Sequence, residues 1–199
     1  MKNTPQKSSS ASVLNISLIG IFAAISVVSI MLLHFPIIPA APYLEYDIED
    51  VPIMLIAMLI NPIAGECVLL IVSLIQAFAF GGNGIIGCIM HFVASSAMVL
   101  IMGYVYRKWQ KILPHLIIAA VISTLAMTAL MIPLNLIFTP ILFGMPVSAV
   151  KDLIVPVLIP FNLIKAGINC TACVALFAII KPIYYKIVGD KLAHTSTAA

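Results

Sequence analysis

The chain is written in long apolar blocks separated by short stretches of Pro, Gly or charge, and a helix needs about 20 apolar residues to cross the hydrocarbon of a bilayer. The pattern predicts six spans. Val13 to Leu33 is the first; it exceeds the usual apolar region of a signal peptide, about 7–15 residues, and Pro39-Ala40-Ala41 lacks an A-x-A form, so it reads as a retained helix. Val51 to Phe80 is broken at Asn61-Pro62-Ile63-Ala64-Gly65 and reads as two short spans joined by a tight turn. Ile85 to Tyr106 forms the fourth, closed by Arg107-Lys108-Trp109-Gln110-Lys111, with Trp109 suited to the membrane interface. Pro114 is tolerated in a first helical turn, so His115 to Phe138 carries the fifth span, with a kink at Pro133. Pro156 to Ile180 is the sixth, ending at Lys181-Pro182.

The expected architecture is an all-α integral membrane protein, one six-helix domain over residues 13–188, with tails at 1–12 and 189–199. Composition agrees: 63% of the residues are hydrophobic and 9% charged, too few polar groups to coat a water-facing sphere. Mean hydropathy is +1.20. The net charge of +3 is scattered and offers no stripe that could neutralise nucleic-acid phosphates. On alternate sides of the spans, one side holds Lys2, Lys7, Arg107, Lys108, Lys111, Lys181, Lys186 and Lys191, and the other holds Lys151. Positive charge stays inside, so both termini are expected in the cytoplasm. Glu45, Asp47, Glu49, Asp50, the turn Gly81 to Gly84 and the loop Thr139 to Val155 then face outward.

Lys165 is the most informative residue, because a lysine at a helix centre costs about 2.5–3.5 kcal/mol to insert. Asn162 and Asn169 lie at i−3 and i+4 from it, on one stripe. No acid lies within a span except Glu66, at the opposite end. Lys165 is therefore expected to be unpaired within the protein and satisfied by the carbonyl oxygens of a ligand. Thr124, Thr128 and Asn135 form a second polar stripe, and Ser73 with Gln76 a third. Each of these also suits plain helix–helix hydrogen bonding. The loop from His34 to Pro52 is apolar and proline-rich, which limits the disorder lost on closing over a ligand. It reads as a lid, with Ala41, Tyr43, Leu44 and Tyr46 as ligand contacts and Asp50 as a candidate helix cap.

Other signals carry less. Gly82-Asn-Gly-Ile-Ile-Gly87 has dinucleotide-loop spacing but follows an apolar helix and lacks the acidic partner. Cys170 and Cys173 fall inside a span and read as buried small hydrophobes. His91 and Ser95 share a face without an assigned role, and no metal site or cofactor is expected. A P-loop is absent from the sequence, so the chain is not expected to hydrolyse ATP, nor to act as an enzyme.

Phe35-Pro-Ile-Ile-Pro-Ala-Ala-Pro-Tyr-Leu-Glu-Tyr-Asp-Ile-Glu-Asp-Val-Pro52, followed by the broken apolar pair, resembles the riboflavin-type substrate-binding S components of energy-coupling factor (ECF) vitamin transporters. The likeness runs along nearly the whole chain, through Gly81 to Gly84, Pro133-Leu-Asn135 and Phe161-Asn-Leu-Ile-Lys165. It implies a vitamin bound near the outer face under the first loop, with Asn135, Asn162 and Lys165 holding the flavin. Glu45 stands where some relatives have lysine. The resemblance also implies partners in the bacterial cell membrane: a membrane-embedded coupling subunit and two cytoplasmic ATPases. The small-residue pair of the first helix that would meet the coupling subunit is Gly20 and Ala24, which could equally pack within this chain's own bundle. An S component for another vitamin such as thiamine, or a membrane thiol oxidoreductase, are the alternatives.

Overall fold

A computed structural model describes residues 9–39, 41–80, 83–109 and 113–197, with side chains from residue 13 to residue 186. Helix α1 (Ser9–Leu32) leads into two short antiparallel strands, β1 (His34–Pro36) and β2 (Glu45–Asp47), followed by α2 (Asp50–Leu59), α3 (Pro62–Ala79), α4 (Gly84–Lys108) and α5 (Leu113–Phe143). A short α6 (Val147–Leu153) and a single π-helical turn (Ile154–Leu158) then feed α7 (Ile159–Thr197). Gly81, Gly82, Gln110, Lys111 and the first eight residues of the expected N-terminal tail lie outside the described residues.

Among the described residues, five helices are long and apolar enough to cross a membrane. The expected second span is the exception. Ten residues of α2 rise about 15 Å, half of a hydrocarbon core of about 30 Å, and every residue from Asp50 to Leu59 is buried. α2 packs against α1, α3, α4 and α7, so it is an apolar peg inside the bundle instead of a lipid-facing helix. This explains why its sequence shows no polar face.

The break after α2 behaves as the residues require. Asn61 adopts an extended backbone and its Oδ1 accepts the Ala64 N–H at 2.9 Å, with Pro62 opening α3. A side-chain acceptor satisfies one orphan donor there, and a proline costs nothing where its missing N–H has no partner. Asp50, expected to cap α2, does not. The cap position is Glu49, without a side-chain cap bond, and Asp50 is the first helical residue.

The segment 139–155 also departs from the expected loop. α5 continues through Pro140 to Phe143, and only residues 144–146 separate it from α6. Pro156 lies within the π turn, a local adjustment of the kind that accommodates proline in membrane helices. This turn and α6 build a second apolar cluster, in which Ala41 and Leu44 of the β1–β2 connection pack on Val150, Val157, Leu158 and Phe161. The connection is thereby seated on the end of the bundle. At the C-terminal side, α7 carries on through residues 189–197.

Candidate functional site

A chamber of about 260 Å³ opens beneath the β1–β2 hairpin, just below the roughly 300–1,000 Å³ usual for ligand sites. Each wall comes from a different element. The hairpin segment supplies His34, Tyr43, Leu44 and Glu45, and α3 and its end supply Gln76 and Phe80. α4 brings Met90 and His91, α5 brings Met131, Asn135, Thr139 and Phe143, and α7 brings Phe161 and Lys165. The Tyr43 and Phe143 rings lie 5.0 Å apart. Asn83, which precedes α4 in the left-handed conformation that Asn tolerates, reaches the same space. Apolar and aromatic surfaces with a few convergent amides, a histidine and an ammonium suit a flat, largely apolar ligand with polar edges.

Lys165 does not wait for a ligand to neutralise it. Its Nζ donates to Asp47 Oδ2 at 2.7 Å, so the expectation of an unpaired ammonium is corrected. The reason is the hairpin: β2 folds its end over α7 and carries an acid from the loop into the bundle, where Asp47 is buried. An ammonium has three donors. Asp47 takes one, and Lys165 still lines the chamber.

Asn135, Lys165, Tyr43, Leu44 and Gln76 of the sequence-predicted set line the chamber. Ala41, Tyr46, Thr128, Asn162 and Asn169 are buried near it but are not on its wall. Tyr46 donates its hydroxyl to Asn169 Oδ1 at 3.1 Å, and Asn169 Nδ2 donates to the Asp47 carbonyl at 3.1 Å. Thr128 bonds back to the Thr124 carbonyl, and Asn162 Nδ2 to the Leu158 carbonyl. Asn162 Oδ1 is buried without a donor among the described residues. On α5, Asn135 Nδ2 donates to the Met131 carbonyl while its Oδ1 accepts from Thr139.

Three acids of the first loop that read as outward-facing charges are buried: Asp47, Glu49 and Asp50. His91 meets two of them, its Nε2 lying 3.1 Å from Glu49 Oε1 and 3.4 Å from Asp50 Oδ1, while Nδ1 lies 2.9 Å from Ser73 Oγ. Burial pushes the Glu49 carboxyl up to about 8, against the opposing pull of His91. Burial likewise raises the Tyr43 and Tyr46 phenols. His34 pairs with Glu45 at 2.8 Å across the hairpin. The sequence singled out His91 but gave it no role and held Phe161 only within the stretch that carries the resemblance, while His34, Phe143 and Thr139 carried no signal beyond polarity or bulk.

Glu66 accepts from Ser96 at 2.7 Å and takes no part in the chamber wall. Cys170 Sγ lies 3.9 Å from Met98 Sδ and Cys173 Sγ 3.8 Å from Met58 Sδ. Each thiol thus points to a different buried neighbour, an arrangement of core packing.

A membrane bundle that encloses a polar-edged chamber under a seated hairpin is the form of a small-molecule carrier. The model of the family "ECF transporter, substrate-specific component" matches residues 14–177, and the chain belongs to that family. It is similar to the riboflavin transporter RibU of Streptococcus thermophilus, at 28% identity over 176 residues covering 83% of each chain. It is also similar to the riboflavin transporter FmnP of Bacillus subtilis, at 29% identity over 77% of this chain and 85% of that one. RibU of Staphylococcus aureus is 29% identical over 80% of this chain and 86% of its own. Among solved structures, one described as the S component of a bacterial ECF transporter superposes with a TM-score of 0.74 at 28% identity, covering 86% of this chain and 98% of that chain.

Proposed function

We propose that this chain is the riboflavin-binding S component of an ECF-type importer in a bacterial cell membrane. The observation that carries the reading is the chamber itself: an ammonium and amides brought together with aromatic walls beneath a hairpin. Three riboflavin transporters among its relatives support the choice of vitamin. Riboflavin pairs a planar tricycle, whose rim bears carbonyls, with a polyhydroxyl tail. Tyr43, Phe143, Phe161 and Met131 offer surfaces for the tricycle, Lys165 and Asn135 donors for rim oxygens, and Gln76 and Thr139 partners for hydroxyls. Asn162, with a free buried oxygen, and Thr128, Asn169, Tyr46 and Ala41 back the wall.

The hairpin serves as the lid, facing outward, with both termini in the cytoplasm, an orientation that the Lys and Arg asymmetry supports. Ala41 and Leu44 hold it on their apolar seat. A vitamin held near 1 nM is bound by about 12 kcal/mol and leaves slowly. Release then takes work from outside this chain, which has no nucleotide-binding motif. A membrane-embedded coupling subunit and two cytoplasmic ATPases supply it. Gly20 and Ala24 are both exposed on one face of α1, and nothing lies within 4 Å of a Cβ built on Gly20. That open small-residue face, unused in packing among the described residues, suits close approach of a partner helix.

The test is uptake of labelled riboflavin by cells lacking their own riboflavin transporter, with this chain expressed alone or with coupling and ATPase subunits. Uptake is expected only with the full set, and excess thiamine should not compete. Thiamine competition, or thiamine uptake in place of riboflavin, would assign the chain to a different vitamin.

A further inference from the structure

The two basic side chains set deepest in the chamber wall meet acidic residues of a single turn. Lys165 of α7 pairs with Asp47 at 2.7 Å, and His91 of α4 lies 3.1 Å from Glu49 and 3.4 Å from Asp50. Only residues 48–49 connect β2, which ends at Asp47, to α2, which begins at Asp50. Asp47 itself is not on the chamber wall; it stands behind Lys165. Its main-chain carbonyl accepts from Asn169 of α7, and the preceding Tyr46 donates to the same Asn169. Three polar bonds therefore bolt β2 to α7. Immediately before β2, Tyr43 and Leu44 form the hairpin's share of the wall, together with Glu45.

We infer that the Asp47–Lys165 pair couples ligand occupancy to the seating of the β1–β2 hairpin, with Asp47 a positioning residue that acts through Lys165. The inference rests on the riboflavin reading above. The path is continuous and physical. A ligand carbonyl engages an ammonium donor that Asp47 leaves free, the ammonium is held in place by Asp47, and Asp47 is part of the strand that roofs the ligand. Binding that prefers the seated hairpin must stabilise that seating by the same factor, because coupling between two sites is reciprocal. Without the carboxylate, Lys165 loses its anchor and β2 loses its charged bond to α7. The hairpin is then free to lift while the vitamin is still bound, so the effect falls on departure more than on arrival.

The experiment measures riboflavin association and dissociation, and amide hydrogen exchange over residues 41–47, in wild type and Asp47→Asn in mild detergent. Asp47→Asn is expected to release riboflavin about tenfold faster or more with little change in association. Its hairpin amides should exchange faster than wild type without ligand, and riboflavin should slow them less. Wild-type dissociation together with wild-type hairpin exchange would overturn the inference. If Asp47→Asn does not fold, the charge-free pair Asp47→Leu with Lys165→Met replaces it. Its hairpin amides are then compared without ligand, since Lys165→Met also removes a ligand donor: faster exchange than wild type would support the inference, and wild-type exchange would overturn it. A wild type that binds no riboflavin would overturn the functional reading instead, while the ligand-free exchange comparison would still decide whether the pair holds the hairpin.

Discussion

Gly65 sits where α3 crosses α2, and replacing it with alanine sets two effects against each other. A Cβ at this position would lie 2.5 Å from Ala57 Cβ, 2.7 Å from Val99 Cγ1 and 3.2 Å from Ala57 Cα, against a preferred carbon separation of about 3.5–4.0 Å. Val99 can turn. Ala57 cannot, because its Cβ is fixed to the backbone of a helix buried along its whole length. The two helices must therefore separate. Overpacking of this kind costs about 1–3 kcal/mol, and a contact of 2.5 Å to an immobile atom belongs at the upper end. Against it stands the gain from removing a glycine inside a helix, about 1 kcal/mol. The net is a loss of about 2 kcal/mol, or roughly 4–8 °C for a domain of this size. Thermal denaturation in mild detergent, followed by helicity, measures it. Gly20→Ala is the companion, since nothing lies within 4 Å of its added methyl; it should melt no lower than wild type. If Gly65→Ala melts at or above wild type, the close packing of α2 on α3 is wrong. Because α2 begins at Asp50, a displaced α2 should also weaken riboflavin binding.

Lys165→Met should cost about 3–5 kcal/mol by leaving the Asp47 carboxylate buried without a partner, and adding Asp47→Leu should recover much of the lost melting temperature; a double variant no more stable than the single would refute the pairing. The Glu49 carboxyl is raised by burial from an ordinary value of 4.5 to about 8, so the folded chain keeps a proton that the unfolded chain has released. Stability linked to that proton is full below the ordinary value and is lost as pH rises through about 8. Glu49→Gln should therefore gain on wild type in melting temperature between about pH 5 and about pH 8, and parallel curves would contradict the burial argument. Replacing Cys67, Cys88, Cys170 and Cys173 together by Ala or Ser should leave riboflavin binding within about threefold, less than 0.7 kcal/mol; abolished binding would reopen a role for the thiols.

The apolar blocks were legible because length and composition alone decide what can cross a bilayer. The break at Asn61-Pro62 was legible because cap and proline chemistry are local. α2 was harder: its ten apolar residues look like a thin span, and only packing with four other helices reveals a peg enclosed by protein. The stripe of Asn162, Lys165 and Asn169 was visible from helical spacing. Its counter-ion was not, since Asp47 lies 118 residues away and reaches Lys165 only through the β1–β2 pairing, which three-residue strands barely signal. Counting Asp47, Glu49 and Asp50 as exposed loop charge was the natural error of a reading without tertiary contacts. Loop position alone singled out Ala41 and Tyr46; tertiary contacts add that Ala41 seats the hairpin and Tyr46 ties it to Asn169.

The most direct measurement is a titration of riboflavin fluorescence with purified wild type, Asn135→Ala and Lys165→Met. Wild type should quench one equivalent at nanomolar concentration, and each variant that remains folded should bind at least about tenfold more weakly, a loss of about 1.4 kcal/mol. Undiminished affinity in both folded variants, or no quenching by wild type, would mean that the chamber beside Lys165 is not where the vitamin is held.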